Sequence, residues 1–177
     1  LSSRWISYIK NTIAQVACNF TTNRMLTDYC SQYYEPQAAR FNELTADGCR
    51  EAREIAQWKE TVRGEWSNIR IISYTQPDAS YVLSPNNPLK SEVVLDLGRL
   101  KPEDIGVEII FSSSDSKGRT HLQNIVELQM VHYENGIATY SASVLPERSG
   151  MFQVGMRYFP KNSRLPHRQD FPLVKWL

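Results

Sequence analysis

The sequence predicts an α+β protein in which N-terminal helices are followed by an antiparallel, immunoglobulin-like β-sandwich of about seven strands. Before residue 69, apolar residues recur at helical spacing and proline occurs once; after it, eight prolines and many turn signals separate short β-branched runs. Strands that follow one another without intervening helices are typical of two packed antiparallel sheets. We therefore predict a helical segment over residues 1–68 and a sandwich domain over 69–177.

The first helix is predicted over residues 4–20. Its apolar residues recur at spacings of three and four and form one stripe: Trp5, Ile9, Ile13, Val16 and Phe20. Ser2 or Ser3 is expected to cap its N-terminus through the side chain. Thr21 and Thr22 favour a cap over a helix interior, so the helix should end at Phe20 and a new one should begin there.

Two more helices are predicted over residues 22–34 and 46–66. Pro36 is expected to end the second helix, whose inward side chains should be Met25, Leu26, Tyr29, Cys30 and Tyr33. Thr45 or Asp47 is expected to cap the third. The inner stripe of the third helix should consist of Ala52, Ile55, Ala56, Val62 and Trp66.

The strands are predicted from short alternating or β-branched runs. They cover 69–75, 91–98, 106–112, the two arms of one hairpin, 151–159 and 171–176. Residues 76–90 contain Pro77, Pro85 and Pro88 and are expected to form a loop. In the third of these runs, 106–112, Val107, Ile109 and Phe111 should point to one side and Glu108 to the other.

The hairpin is the clearest local feature of the second segment. Asn135-Gly136 is a type I′ turn sequence between two alternating runs. The side chains on one face of the first arm should be Val126, Leu128 and Met130, opposite Ala138, Tyr140, Ala142 and Val144. Pro146, Ser149 and Gly150 are expected to mark the next turn.

Composition excludes several classes of function. The net charge of +1 and the isoelectric point near 7.9 argue against a nucleic-acid-binding domain, and no apolar run is long enough to cross a membrane. The chain begins with Leu1 and lacks a signal-peptide pattern, which indicates a piece of something longer. Cys18, Cys30 and Cys49 are not spaced for a zinc site, and we expect them to be small buried apolar residues in a reducing compartment.

No motif for catalysis, cofactor binding or metal binding is present. His121, His132 and His167 are scattered, and the adjacent acids Glu103 and Asp104 follow a proline in a turn, where a structural role is favoured. None of the lysines lies in the apolar, glycine-rich surroundings that a Schiff-base lysine needs. The lysines are Lys10, Lys59, Lys90, Lys101, Lys117, Lys161 and Lys175. We therefore predict no catalytic, cofactor-binding or metal-binding residue in this chain.

One stretch, residues 148–177, carries an excess of positive charge. Its basic residues, set against Asp170 alone, are Arg148, Arg157, Lys161, Arg164, Arg168 and Lys175. A solvated loop is the favoured interpretation of residues 157–168. Binding of phosphate or an acidic partner, and docking onto another domain, remain alternatives.

The run RWISYIKNTIAQVACNFTTNRMLTDYCSQYY resembles the last conserved helical segment of α-glucan phosphorylases. There a Trp-led helix is followed by a phenylalanine, two small hydroxyl or acidic residues, an arginine and a Tyr-containing helix. The corresponding positions here are Trp5, Phe20, Thr21, Thr22, Arg24, Met25 and Tyr29. The phrases AQWKETVRGEWSNIRI, LGRLKPEDIGVEIIF, ATYSASVLPERSGMFQVGMRYFP and LVKWL resemble the closing portion of the long bacterial and archaeal subgroup.

The resemblance implies a function for the parent enzyme. Members of the family transfer glucosyl units between α-1,4-glucan and inorganic phosphate with pyridoxal phosphate, whose lysine motif has no match here. The chain would then be a catalytically inert, cytoplasmic C-terminal fragment, with the upstream catalytic domains as its partner. A non-catalytic carbohydrate-binding sandwich is the alternative, and a homo-oligomer contact is left open; neither nucleic acid nor membrane is implied as a partner.

Overall fold

A computed structural model describes residues 2–75, 80–83, 88–145 and 150–177. The chain forms two compact units, Leu1–Ile55 and Ala56–Leu177. Helices fill the first unit, whereas an antiparallel sheet that curls into a sandwich-like domain dominates the second. The predicted α+β class is therefore confirmed. The predicted division into 1–68 and 69–177 stays a prediction.

The first two helices begin close to where the sequence places them, whereas the third begins at Glu35 and not at residue 46. The helices are α1 (Ser3–Thr12), α2 (Thr22–Tyr29) and α3 (Glu35–Glu65), with π turns at Ile13–Ala17 and Cys30–Tyr34. The Thr21 hydroxyl accepts a hydrogen bond from the Arg24 amide at 3.2 Å, which confirms the predicted cap of α2. Ser2 occupies the cap position of α1, but its side chain makes no capping hydrogen bond. Its carbonyl accepts the first amides of the helix instead.

Pro36 does not end the second helix, contrary to the prediction. The π turn before it has a wider backbone, which relieves the clash between the proline ring and the carbonyl of the preceding turn. The break comes later, at residues 46–49, where Asp47, Gly48 and Cys49 have positive φ angles of 49°, 63° and 64°. Thr45 does not cap the next helical stretch, because its hydroxyl donates to the Phe41 carbonyl.

The side chains predicted to face inward on α2 and the following turn are exposed instead. They are Met25, Leu26, Tyr29, Cys30 and Tyr33. The stripe of the first helix is exposed as well, with Trp5 at 55% and Ile13 at 58%. On α3, Ile55 and Val62 are buried as predicted, whereas Ala56 is exposed. Amphipathic spacing thus identified the apolar faces correctly, but an apolar face is buried only where another element covers it.

Eight strands form the sheet in the described part of the second unit. They are β1 (Arg70–Thr75), β2 (Ser80–Leu83), β3 (Leu89–Asp96), β4 (Ile105–Ser114), β5 (Thr120–Glu134), β6 (Ile137–Val144), β7 (Gly150–Pro160) and β8 (Lys175–Trp176). Their order is β1-β3-β6-β5-β4-β7-β2, with β8 also on β7. The long strand β5 pairs with β4 through its first half and with β6 through its second. This shared strand curls the sheet so that its two halves face each other.

The predicted hairpin is confirmed. Asn135 and Gly136 have φ angles of 52° and 84°, the positive values that a type I′ turn requires. The predicted faces hold except at Met130, which is exposed next to a bulge that interrupts the β5–β6 register. The turn predicted at Pro146 and Ser149 lies outside the described residues, and Gly150 begins β7.

Two other strand predictions are corrected. Strand β2 lies within the stretch predicted as a loop and pairs with β7. The sequence did not indicate it, because a strand of four residues between prolines is too short to show an alternating pattern. The predicted strand 171–176 is reduced to Lys175–Trp176. Pro172 has no amide hydrogen to donate to a ladder, and a short 3₁₀ turn (Arg168–Asp170) precedes it.

The core lies between the two halves of the curled sheet. Its buried side chains alternate along the strands, as in β3, where Leu89, Ser91, Val93 and Leu95 are buried and the residues between them are not. Val62 and Ile69, from α3 and the segment after it, belong to the same cluster. The last helical turns are therefore part of the β domain's core.

Candidate functional surface on the outer face of the sheet

Glu108 is a fully buried carboxylate in the middle of β4. It points away from the core, as predicted, but its relative exposure is 0%. Arg157 on β7 lies directly opposite in the register, and both its Nε and its Nη2 lie 2.6 Å from Glu108 Oε1. Two guanidinium nitrogens on one carboxylate oxygen hold both side chains in a single orientation.

Arg168 completes this cluster from the segment that follows β7. Its Nη1 donates to Glu108 Oε2 at 2.6 Å, and its guanidinium carbon lies 3.9 Å from the centre of the Phe159 ring. That ring lies on Gly106, where a Cβ would come within 2.4 Å of Phe159 Cζ. The absence of a side chain at Gly106 is therefore what allows Phe159, and with it Arg168, to close over Glu108.

Residues 161–168 are exposed or half-buried, as the favoured interpretation of a solvated loop expects, but several basic residues of this stretch are also ion-paired. Arg157 and Arg168 share Glu108, and Lys161 pairs with Glu127 of β5. Arg148 lies outside the described residues. Two arginines on one carboxylate leave a net positive charge, while each keeps part of its side chain exposed.

Trp176 lies beside this cluster on the same face. Strand β8 places it opposite Arg157, whose guanidinium carbon is 5.2 Å from the indole centre. The ring lies against Gly155, where a Cβ would be 3.1 Å from Trp176 Cζ3. Trp176 is nevertheless 54% exposed. The surface therefore presents an aromatic ring next to an ordered arginine, a combination that residue types alone do not reveal.

The last turns of α3 contact the segment that carries Arg168. The Trp58 indole donates to Asp104 at 2.7 Å and packs edge-on against Phe171, with ring centres 5.5 Å apart. Lys59 Nζ donates to the Asp170 carbonyl at 2.9 Å, and the Arg63 guanidinium lies over the Phe171 ring. These contacts fix residues 168–171 and thereby the position of Arg168.

The adjacent acids Glu103 and Asp104 have the structural role favoured from the sequence. Asp104 accepts hydrogen bonds from Trp58 and from the Lys101 amide, and it closes a 3₁₀ turn (Pro102–Asp104). The Tyr140 hydroxyl donates to the Pro102 carbonyl at 2.9 Å from the opposite side. Burial, reinforced by the negative charge of Asp104, raises the pKa of Tyr140 well above its usual value.

The histidines do not come together. His121 contacts Asp115, His132 lies 3.6 Å from Glu134, and His167 accepts a hydrogen bond from the Gln169 amide. Asp115 closes a hairpin turn, where hydrogen bonds from the Arg119 amide and from His121 lower its pKa to about 2. Cys18, Cys30 and Cys49 are free but exposed, so the prediction that they are buried is wrong, because no element covers their side chains in the described residues. The described residues hold no cluster of three or more ligands suited to a metal ion.

The seven lysines do not fit a pyridoxal phosphate site. Lys59 is half-buried and donates to a carbonyl, and the other six are exposed. A lysine that forms a Schiff base needs a desolvated pocket, which lowers the cost of losing its charge. No step of pyridoxal chemistry can therefore be derived from this chain. That no residue here is catalytic stays a prediction.

The family follows from the comparison with known sequences. Residues 66–177 match the model of the glycogen phosphorylase C-terminal domain. The chain belongs to this family. The match covers the sheet and the surface around Glu108 and Trp176, and it begins where α3 ends. Among the helices that the structure describes, none is both long and apolar enough to span a membrane.

Several phosphorylases resemble the chain over almost its whole length. Maltodextrin phosphorylase of Thermococcus litoralis is 28% identical over 98% of this chain, and glycogen phosphorylase of Mycobacterium bovis is 25% identical over 97%. A glycogen phosphorylase of Mycobacterium tuberculosis is 24% identical. The chain spans about a fifth of the length of these relatives, since 20% of each is covered. No solved structure matches it.

Proposed function

We propose that the chain is the C-terminal part of an α-1,4-glucan phosphorylase, which transfers glucosyl units between glucan and inorganic phosphate. The observation that carries the proposal is the family match over residues 66–177, extended by relatives that align with 97–98% of this chain. The names of these relatives, maltodextrin and glycogen phosphorylase, suggest the substrate class. The parent enzyme would act in the cytoplasm, in keeping with three free cysteines.

In this proposal residues 1–68 end the second catalytic domain and form a connecting helix, and residues 69–177 form an accessory β domain. The exposed apolar side chains of the helices support the first part: Trp5, Ile9, Ile13, Val16 and Phe20 are 42–77% exposed. Apolar stripes of this kind are normally covered by a neighbouring element. The proposed partner is the set of upstream catalytic domains of the same chain.

The chain itself is proposed to be inert. Pyridoxal phosphate in the full enzyme would supply the phosphate group that assists glucosyl transfer, and the lysine that holds it would lie upstream. The exposed lysines support this, because none is placed to hold the cofactor. The contribution of this chain would be structural: a rigid domain whose surface is ordered by Glu108.

The experiment compares the full enzyme with the isolated 177-residue chain in phosphorolysis of maltodextrin. The full enzyme should release glucose 1-phosphate and show the visible absorbance of bound pyridoxal phosphate, and the isolated chain should show neither. A full enzyme that leaves maltodextrin intact would refute the assignment. Release of sugar phosphate by the isolated chain would refute its inert role.

The alternative from the sequence, a non-catalytic carbohydrate-binding module, is compatible with an accessory role. It is favoured by one observation, the exposed indole of Trp176 on the outer face of the sheet.

A further inference from the structure

We propose that Trp176 and Arg157 form a surface binding site for linear α-1,4-glucan. The choice of ligand rests on the proposed function, whereas the site itself rests on geometry. The site lies on the outer face of the sheet.

Trp176 is held in place before any ligand arrives. Its strand pairs with β7, and the amide of the next residue, Leu177, donates to the Met156 carbonyl at 3.0 Å. Gly155 leaves room for the indole to lie against the strand, since a Cβ there would be 3.1 Å from the ring. A ring fixed by backbone pairing loses little conformational freedom when a ligand stacks on it. With 54% of the residue exposed, the indole is accessible to a ligand.

Arg157 supplies hydrogen-bond donors in contact with this ring, because its guanidinium group lies over part of the indole. Its contacts with Glu108 use Nε and Nη2, so that, among the described residues, Nη1 is left to donate to a ligand. The buried carboxylate fixes the guanidinium group over the indole, with its carbon 5.2 Å from the ring centre. A platform with a few ordered polar groups at its border is the usual arrangement of a ligand site.

The chemistry of this arrangement suits a sugar chain. A glucose ring has a C–H face that packs on an aromatic surface and hydroxyl groups at its edge that accept hydrogen bonds from a guanidinium group. The ligand need not be an anion, because Glu108 already balances one of the two arginine charges. A neutral sugar polymer has both the C–H faces that pack on the indole and the hydroxyl groups that accept from Arg157. Maltodextrin and glycogen, which the relatives' names contain, are polymers of this kind.

The test measures migration of the 177-residue chain in native gels containing amylopectin and its titration with maltoheptaose. The wild-type chain should be retarded, and Trp176→Ala should weaken maltoheptaose binding at least tenfold. Tyr133→Ala is the matched control, because Tyr133 is a 42% exposed aromatic on the other half of the sheet. The control should bind like wild type, and thermal unfolding of both variants checks that they fold.

A second measurement avoids any dependence on the folding of a variant. Maltoheptaose added to the wild-type chain should shift the indole N–H resonance of Trp176 and leave those of Trp5, Trp58 and Trp66 in place. The spectrum of Trp176→Phe assigns the resonance. An unretarded wild-type chain, an unshifted Trp176 resonance or equal binding by Trp176→Ala would each overturn the site. A Trp176→Ala chain that changes only its self-association would assign the ring to a protein contact instead. None of these outcomes alters the phosphorolysis test of the parent enzyme.

Discussion

Glu108 connects three parts of the β domain through one side chain. Its two oxygens receive Arg157 from β7 and Arg168 from the segment after it, and Phe159 packs beneath the second arginine. A fully buried carboxylate is tolerated because both oxygens are paired with cations. The same pairing orients Arg157 beside Trp176.

Replacing Glu108 by Gln should destabilise the chain substantially. The amide preserves the shape of the side chain but leaves two partly exposed arginines without their counter-charge. We expect the free energy of unfolding in urea to fall by about 2 kcal/mol, the cost of losing hydrogen bonds between charged groups when the remaining cations still reach water.

Glu127→Gln is the control for that substitution. Glu127 pairs with Lys161 on the same face, but both side chains are partly exposed, at 32% and 52%. The loss should stay below about 1 kcal/mol, as for other surface ion pairs. Equal losses for the two variants would show that burial of Glu108 contributes nothing.

Two buried tyrosines should respond in opposite ways to loss of the hydroxyl. Tyr140 donates to the Pro102 carbonyl at 2.9 Å, whereas the Tyr158 hydroxyl is buried without a partner in the described part of the chain. Tyr140→Phe should therefore lower the unfolding free energy by about 1 kcal/mol. Tyr158→Phe should leave it unchanged or raise it, because a buried unpaired hydroxyl is unfavourable. Urea unfolding measures both, and a larger loss for Tyr158→Phe would contradict the assignment.

The hydroxyl groups of Tyr140 and Tyr158 should also determine how the stability of the fold changes at alkaline pH. Burial raises the pKa of both tyrosines above the usual value of 10. The folded state therefore holds them neutral, and the stability this gives is full below pH 10 and declines above it. In an alkaline titration followed by tyrosinate absorbance, two tyrosines should ionise only when the chain unfolds. The Tyr140→Phe/Tyr158→Phe double variant should lose the part of the tyrosinate absorbance that appears only on unfolding. An absorbance titration identical to that of the wild-type chain would contradict the raised pKa of these two tyrosines.

The residues of the outer surface show where prediction from sequence stops. The sequence placed Glu108 on the correct side of β4 and noted the excess of basic residues near the C-terminus. The sequence alone does not show that these arginines pair with Glu108, because Arg157 and Arg168 lie 49 and 60 positions after it. The one available signal was an acidic residue within an otherwise apolar strand, since a buried charge needs a partner.

Among the elements, the last turns of α3 belong energetically to the β domain. Val62 is fully buried in the core of the sheet, and Trp58 and Arg63 contact residues that precede or follow the strands. The compact unit accordingly begins at Ala56, ten residues before the family match begins at residue 66. Sequence spacing identified Val62 as inward, but not the sheet as the surface that covers it.

Val62→Ala should destabilise the β domain by about 2 kcal/mol, the cost of removing buried methyl groups and leaving a cavity. Val16→Ala is the matched control, because Val16 is a helical valine that is 48% exposed. The control should change the unfolding free energy only slightly. Thermal unfolding followed by near-ultraviolet circular dichroism reports on the β domain through Trp66 and Tyr158, whose rings are in contact. Similar shifts for both variants would contradict the assignment of α3 to this core.

Local signals explain which elements the sequence could specify. Asn135-Gly136 encodes its turn within two residues. The strands β3, β4, β6 and β7 are each at least eight residues long, which is enough to show a strand pattern in the sequence. Strand β2 has four residues and pairs with a strand about 70 positions later, from Ser80 to Gln153, so nothing nearby indicates it. The curl of the sheet depends likewise on β5 changing partners midway, a property of the assembled strands.

On the scale of the whole molecule, burial differs sharply between the two units. The second unit encloses nearly all the buried apolar side chains, whereas in the first only Ile55 is buried among the described residues. The first unit nevertheless has an amphipathic pattern that predicts a covered face. An apolar face of this extent favours contact with another protein surface.

The isolated chain should therefore self-associate through its N-terminal helices. Sedimentation velocity should give a coefficient that rises with protein concentration. The variant Trp5→Ser/Ile13→Ser removes two apolar side chains that are 55% and 58% exposed, and it should lower the tendency to associate. Leu122→Ser is the control, because Leu122 is 61% exposed but lies on the sheet. A wild-type coefficient independent of concentration, or equal effects of the two variants, would argue against the helices as the docking face for the catalytic domains.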